Sequence, residues 1–256
     1  ESDLRRAVER NELSVVYQPI VQLSDMTVAG FEALLRWEHP RRGSIPPVEF
    51  IPLAEGCNII GQLGQFAMSQ AAAQLSLWQK TTGNSTVFMS VNLSSRQILR
   101  RDLVQEVRNI LANSQVAKGT FKLELTESAV MENPEQAVFI LDKIRSMGIG
   151  LSLDDFGTGH SSLAYLSRFP FDLLKIDKTF LHDESPKKFV LLKSMINMAH
   201  ELGSKVVVEG IETDRDALQL RQLHGEFAQS YLFGEPMSAE NALPLLREQN
   251  TAAVRA

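Results

Sequence analysis

The sequence has a single cysteine, Cys57, among 256 residues, which excludes an internal disulfide and is typical of a reducing compartment. No apolar run approaches the roughly 20 residues that a membrane-spanning helix needs, and no stretch has the pattern of a signal peptide. Positive charge is scarce too, since the net charge is −5, which argues against electrostatic binding of a nucleic-acid polymer. We therefore expect a cytoplasmic domain without a membrane segment; an anchor elsewhere in a longer protein would be compatible with this.

The composition, with 44% hydrophobic and 22% charged residues, is that of a well-buried globular domain. A chain of 256 residues could form two domains, but α/β barrels commonly use this length as one. No linker, low-complexity tract or internal repeat divides the sequence. We expect one domain over 1–256, with a connector helix over about 1–12 and a C-terminal tail over about 249–256. Because the chain begins with Glu1 rather than methionine, we expect a fragment of a larger multidomain protein.

Strand-like and helix-like stretches alternate along the chain, which favours a closed α/β barrel. Only residues 23–26 separate the first two strands, too few for a crossover helix, so these strands should form an antiparallel hairpin. We therefore predict a modified TIM (β/α)8 barrel with an antiparallel first strand. The predicted strands are 13–21, 27–37, 87–94, 121–127, 149–155, 172–177, 205–209 and 227–233. The predicted helices lie near 2–11, 61–82, 95–113, 134–147, 159–168, 185–202, 213–224 and 238–248.

Carboxylates, an amide and a lysine stand at the ends of the predicted strands. Side chains alternate between the two faces of a strand, so Lys122 and Glu124 share a face opposite Leu123. The apolar faces should pack on the helices, which leaves the polar ones pointing into the barrel, where active sites lie at the C-terminal strand ends. The residues concerned are Glu32, Asn92, Glu124, Asp154, Asp155 and Lys175.

Burying several carboxylates together is costly unless a positive charge lies among them. The donors are hard oxygen atoms, with no cysteine and no necessary histidine, and this set favours magnesium or manganese. The sequence therefore predicts a metal-dependent enzyme.

These stretches belong to an ordered series of motifs that runs nearly from end to end. The tripeptide Glu32-Ala33-Leu34 means nothing by itself, but the ordered series is specific. The series comprises Tyr17-Gln18-Pro19-Ile20, Glu32-Ala33-Leu34, Phe50-Ile51-Pro52-Leu53-Ala54-Glu55, Asn92, Glu124-Leu125-Thr126-Glu127-Ser128, Asp154-Asp155-Phe156-Gly157-Thr158-Gly159, Leu174-Lys175-Ile176-Asp177, Val208-Glu209-Gly210-Ile211-Glu212-Thr213 and Gln229-Ser230-Tyr231-Leu232-Phe233-Gly234. It resembles the EAL domain family, the bacterial cyclic-di-GMP-specific phosphodiesterases.

The resemblance implies a metal site with two Mg²⁺ or Mn²⁺ ions, and Ca²⁺ as an inhibitory ion. Asp154 would bridge the two ions, and Lys175 would orient or activate the attacking water. The resemblance leaves two roles open for Glu209, metal coordination or proton handling. The implied metal ligands are Glu32, Asn92, Glu124, Asp154, Asp155 and Glu209, with Gln229 acting through water.

The resemblance also implies hydrolysis of cyclic-di-GMP to linear pGpG. Arg36 would bind a phosphate oxygen, and Gln18 and Asp177 would contact the substrate. Glu127 would hold the loop that follows Asp154-Asp155, and Glu212 would support the pocket. The implied partners are cyclic-di-GMP, a second copy of the chain bound through that loop, and sensory or GGDEF domains in the full-length protein.

Two other functions stay open. The chain could be a catalytically weak cyclic-di-GMP receptor, but such a domain would be expected to lack some of the implied ligands, and none is missing. It could also be an unrelated barrel enzyme such as a metal-dependent aldolase, against which the ordered motifs and the early hairpin argue. The sequence departs from the family pattern at His160, Ser230, Gly56 and Val208, and none of these removes a ligand.

Overall fold

Eight strands close into a mixed barrel in the computed structural model, which describes residues 1–158, 166–182 and 187–253. The order around the barrel is β1-β9-β8-β7-β6-β5-β4-β2, and β1 pairs with β2 to close it, while β3 lies outside on β2. The strands are β1 Leu13–Gln22, β2 Thr27–His39, β3 Gly43–Ile45, β4 Phe88–Asn92, β5 Phe121–Thr126, β6 Gly150–Phe156, β7 Leu173–Ile176, β8 Lys205–Glu209 and β9 Phe227–Gln229.

The first strand runs against both of its neighbours. β1 pairs antiparallel with β2, with Gln18 opposite Glu32, and also antiparallel with β9, whereas β2 and β4 to β9 pair in parallel. The tight turn between β1 and β2 is stabilised by Asp25, whose Oδ1 accepts hydrogen bonds from Thr27 N at 3.0 Å and Thr27 Oγ1 at 2.8 Å. The predicted fold class, a modified barrel with an antiparallel first strand, is confirmed.

Helices pack around the barrel wall, most of them between consecutive parallel strands. They are α1 Ser2–Ala7, α2 Pro47–Gly56, α3 Ile60–Thr82, α4 Ser95–Ile98, α5 Leu103–Ala112, α6 Glu127–Met131, α7 Pro134–Ser146, α8 Thr179–His182, α9 Lys188–Glu201, α10 Asp214–Gln222 and α11 Ala239–Ala253. Among the described helices, none is long and apolar enough to span a membrane.

Some predicted boundaries were wrong. The single helix expected over 95–113 is two helices, α4 and α5, because Asp102 at the start of α5 binds the Arg100 guanidinium at 2.6 and 3.0 Å across the break. The sequence also did not reveal β3, α2 or α6; β3 and α6 are short, and α2 contains Pro52. Most of the helix predicted near 159–168, and the predicted start at 185, lie outside the described residues.

Two apolar layers position the functional end of the barrel. The outer faces of the strands pack on the helices in one large core. Inside the barrel, near the N-terminal ends of the parallel strands, a smaller cluster is formed by Ile20, Phe88, Leu173, Val207 and Phe227. This inner cluster separates the two ends of the barrel interior, and the polar strand ends described below lie on its C-terminal side.

The N-terminal helix α1 docks on the outside of β2 through a third apolar cluster. Leu4 is 1% exposed in that cluster, and Val8 packs against it. Two polar contacts fix the same junction: Trp37 Nε1 donates to Glu12 Oε2 at 3.1 Å, and the His39 ring contacts Asp3 Oδ2 at 3.2 Å.

Truncating this junction is expected to destabilise the domain. In a Leu4→Ala, Val8→Ala double variant, the loss of a fully buried leucine should lower the free energy of unfolding by about 3 kcal/mol, because a cavity forms where the side chain packed. Urea unfolding followed by circular dichroism measures this change. Substitution of the exposed Leu77 by alanine is the control and should be nearly neutral. An unchanged midpoint in the double variant would contradict the docking of α1.

Candidate active site

The polar strand ends meet at one buried lysine. Lys175, near the end of β7, is 2% exposed, and its ammonium group lies among carboxylates from four other strands. Its Nζ atom is 2.6 Å from Glu124 Oε1, 2.8 Å from Glu209 Oε1, 3.1 Å from Glu32 Oε2 and 3.6 Å from Asp154 Oδ1. The structure thus brings these predicted site residues together at the C-terminal ends of the strands.

One ammonium group does not balance four carboxylates. Burial raises the pKa of Glu124 well above its ordinary value, and the negative charges of Glu32 and Asp154 add to this effect. Burial and the charge of Asp154 also raise the pKa of Glu209. Burial works to lower the pKa of Lys175, but the surrounding carboxylates outweigh it and raise this pKa well above the ordinary value. The cluster therefore favours additional positive charge.

Glu32 accepts hydrogen bonds from amide side chains on both of its carboxylate oxygens. Asn92 Nδ2 donates to its Oε1 at 2.7 Å, and Gln229 Nε2 donates to its Oε2 at 2.6 Å. Burial works to raise the pKa of Glu32, but the charge of Lys175 and the two amide hydrogen bonds hold this pKa below its ordinary value. Gln229 also donates to Gln18 Oε1 at 3.2 Å, so both glutamines belong to the site.

The end of β6 departs from regular strand geometry. Its pairing with β7 shifts between Leu153 and Phe156, and Asp155 adopts a φ of 57°, which is uncommon for a residue with a side chain. Gly157 follows at a φ of 90° and donates its N–H to Glu127 Oε2 at 2.9 Å. Glu127, 2% exposed at the start of α6, thus holds the segment that places Asp154 and Asp155.

Removal of this contact is expected to impair any activity that depends on Asp154. In Glu127→Ala, the Gly157 N–H loses its acceptor, and a supporting contact of this kind is worth about 10–100-fold in metal affinity or activity. Glu127→Gln keeps an oxygen acceptor and should recover most of the loss. Metal affinity, measured by titration calorimetry on both variants, checks this. Equal affinities for wild type and Glu127→Ala would count against a supporting role.

The donor set of the cluster suits a hard divalent cation. Glu124 Oε2 and Gln229 Oε1 are buried without a hydrogen-bond partner, and the remaining donors are carboxylate and amide oxygens. Among the described residues, however, no group of three Asp, Glu, His or Cys side chains has a ready-made metal-binding arrangement. The carboxylates point at Lys175 instead, so they fit a cation chemically but would have to share their oxygens with this ammonium group.

Two cavities open beside the cluster. One, of about 680 Å³, is lined by Glu32, Glu209 and Gln229 together with Gln18 and Asp177. The other, of about 470 Å³, is mostly apolar and is lined by Arg36 and Asn92. The structure therefore places Arg36 on a different cavity from Gln18 and Asp177.

The rim of the larger cavity carries two residues that the sequence identified, Glu212 and Asp177, and one that it missed, Tyr231. Glu212 lines it but is exposed, and its Oε1 is 3.7 Å from His182 Nε2. Asp177 Oδ1 accepts a hydrogen bond from Thr179 N at 2.9 Å, which anchors the start of α8. Tyr231 was missed although it follows Gln229 closely in its motif, and at 70% exposure it is an aromatic ring available for contact with a ligand.

Comparison with known proteins agrees with this geometry. The family described as EAL domain matches residues 1–236. Curated relatives include the bifunctional diguanylate cyclase/cyclic di-GMP phosphodiesterase MucR of Pseudomonas aeruginosa, 39% identical over 243 residues that cover 94% of this chain and 35% of that protein. The cyclic di-GMP phosphodiesterase NbdA of the same organism is 40% identical over 239 residues, covering 93% of this chain and 30% of NbdA.

A solved structure of the PaMucR phosphodiesterase in complex with c-di-GMP superposes with a TM-score of 0.89 at 39% identity, covering 94% of this chain and 98% of that one. The chain spans only about a third of the length of the curated relatives it matches. The family match over residues 1–236 agrees with the fold, a barrel with an antiparallel first strand, and with the carboxylate cluster at its mouth. The chain belongs to the EAL domain family.

Proposed function

We propose that the domain is a metal-dependent phosphodiesterase that hydrolyses cyclic-di-GMP to linear pGpG. The observation that carries the proposal is the buried Lys175 ammonium surrounded by four carboxylates at the mouth of an EAL-family barrel. The names of MucR and NbdA, which describe cyclic di-GMP phosphodiesterases, support the choice of substrate.

Two Mg²⁺ or Mn²⁺ ions would be held by carboxylate and amide side chains at the cluster, together with Asp155, which follows Asp154 on β6. When bound, such ions lower the pKa of water and stabilise negative charge on a phosphoryl group. The holding residues would be Glu32, Asn92, Glu124, Asp154, Asp155 and Glu209, with Gln229 reaching a water.

The other side chains bind and orient. Lys175 holds the carboxylates in place and brings a proton-bearing ammonium group to the point of reaction. Arg36 offers a planar fork to a phosphate oxygen beside the apolar cavity, while Gln18 and Asp177 line the polar one. A cyclic dinucleotide carries one base on each side of its sugar-phosphate ring. The two cavities beside the carboxylate cluster suit a ligand of this form.

The test is cyclic-di-GMP hydrolysis by the purified domain with Mg²⁺ or Mn²⁺, with product identified by chromatography. Wild type should release pGpG, and Glu32→Ala should release none. Tight nucleotide binding without product would indicate the receptor instead. Cleavage of a sugar phosphate without turnover of cyclic-di-GMP would favour a metal-dependent aldolase. In the same assay, Ca²⁺ in place of Mg²⁺ is expected to inhibit.

The proposal includes a homodimer formed through the segment after Asp155 and further sensory or GGDEF domains in the full-length protein. Gly159 and His160 of that segment lie outside the described residues. Light scattering of the concentrated domain with substrate tests the dimer, and a monomer under these conditions would contradict it. The cytoplasmic location stays a prediction.

A further inference from the structure

A second polar cavity lies at the opposite end of the barrel, where the parallel strands begin. It measures about 650 Å³, within the range of small-molecule sites. Phe88, Lys122, Lys205 and Phe227 line it, and they belong to four different strands. The proposed reaction uses none of them. Lys122 precedes Glu124 by two residues on β5, so both face the barrel interior, one at each end of the apolar cluster.

Two lysine ammonium groups flank one aromatic pair in this cavity. Lys122 Nζ is 5.6 Å from the ring centroid of Phe88, and Lys205 Nζ is 5.6 Å from that of Phe227. The two rings are 5.7 Å apart and packed edge to face. Both ammonium groups therefore lie at the wall of the same cavity, each beside one ring of the pair.

Lys122 is a costly residue at this position. It is only 9% exposed, and neither its ammonium group nor that of Lys205 has a hydrogen bond or ion pair with another described residue. Contact with an aromatic face compensates for part of the lost hydration of an ammonium group. The Lys122 side chain is buried, but its ammonium group is not one of the fully buried atoms that lack a partner and opens to the cavity, where an anion would accept from its three donors.

The two acidic residues that line the cavity, Asp172 and Asp25, contact other groups. Asp172 Oδ2 accepts a hydrogen bond from Leu151 N at 2.8 Å, and its Oδ1 is 3.5 Å from the Arg145 guanidinium. Asp25 accepts two hydrogen bonds from Thr27 in the turn between β1 and β2. The charge of Asp172 attracts the Lys122 ammonium group, but neither Asp172 nor Asp25 lies within ion-pair distance of either lysine.

We propose that this cavity binds a small anion of the phosphate type. Lysine binds phosphate as a point charge, and two ammonium groups at one cavity wall match a doubly charged group better than a single carboxylate. The site depends on neither the metal ions nor the hydrolysis proposed for the other end of the barrel, so each proposal is tested independently of the other.

Titration calorimetry with inorganic phosphate tests the site. The protein is first freed of divalent cations on a chelating resin, so that the acidic cluster at the other end repels anions, and chloride keeps the ionic strength constant. Wild type should bind phosphate saturably with one site. Lys122→Met and Lys205→Met should each weaken binding about tenfold or more, because each removes a charged hydrogen bond. Lys80→Met, at an exposed position on α3, should bind like wild type.

Three results would overturn the proposal. These are the absence of saturable binding to wild type, unchanged affinity in Lys205→Met, and saturable binding of succinate but not of phosphate. Lys205 is exposed, so its substitution should leave folding intact, and this variant decides the test if Lys122→Met unfolds. Thermal melting with and without phosphate provides a second readout: wild type should gain stability with phosphate, and Lys205→Met should gain less at the same phosphate concentration.

Discussion

Replacement of Lys175 by methionine is expected to abolish cyclic-di-GMP hydrolysis and to lower the stability of the metal-free domain by about 3–5 kcal/mol, the usual cost of breaking a buried ion pair from one side. Methionine has nearly the same length but leaves four carboxylates facing one another without the ammonium group that now lies 2.6–3.6 Å from each of them. If the ammonium group activates the attacking water, as the resemblance implies, its loss should lower turnover by about 100–10,000-fold. Urea unfolding and a hydrolysis assay measure the two effects.

Two comparisons separate the local effect from a general one. Lys80→Met, on the exposed face of α3, removes the same charge and should change neither quantity. Added Mg²⁺ or Mn²⁺ should stabilise Lys175→Met, because a cation can replace the missing positive charge and binds only the folded state. Full hydrolytic activity in Lys175→Met would contradict the role of the ammonium group in the reaction.

The sequence was sufficient for most of the barrel because its information is local. Each strand is an apolar run ended by a polar residue, and alternation alone placed Glu124 inside the barrel. The four-residue link between the first two strands predicted their antiparallel pairing, since no crossover fits in it. Elements that lack such a pattern were missed: β3 has three residues, and α2 contains Pro52.

The sequence indicated which strand ends carry clustered polar residues, but not how these residues contact one another. Their positions at strand ends indicated that the polar residues meet, whereas the pairing of Lys175 with four carboxylates depends on how strands distant in sequence are placed around the barrel. Arg36 illustrates the same limit. The resemblance gave it a substrate contact together with Gln18 and Asp177, yet it lines the other cavity. The role of Glu127 depends on a contact with Gly157, thirty residues away, which no local pattern encodes.

Substitution of Glu124 by glutamine is expected to change stability and activity in opposite directions. Glu124 is 1% exposed, and its pKa is raised by burial and by neighbouring carboxylates, so its charge is unfavourable in the metal-free protein. Glutamine keeps an oxygen facing Lys175 and removes a charge that burial disfavours, and Lys175 retains three other carboxylates, so the metal-free domain should be more stable than wild type. The same change removes an anionic metal donor, and hydrolysis should fall at least about a hundredfold, since even supporting contacts of a metal site contribute up to that factor.

The dependence of stability on pH distinguishes this explanation from a packing effect. Because the pKa of Glu124 is higher in the folded state than its ordinary value of 4.5, the folded protein binds more protons, and stability falls as the pH rises above that value. Metal-free Glu124→Gln should lose less stability than wild type over this range, and Glu38→Gln, at an exposed position of β2, should follow wild type. Parallel pH profiles for wild type and Glu124→Gln would mean that the charge of Glu124 is already compensated by Lys175. In that case the cluster would have no unmet requirement for a cation, and the argument for a metal site would lose its electrostatic support.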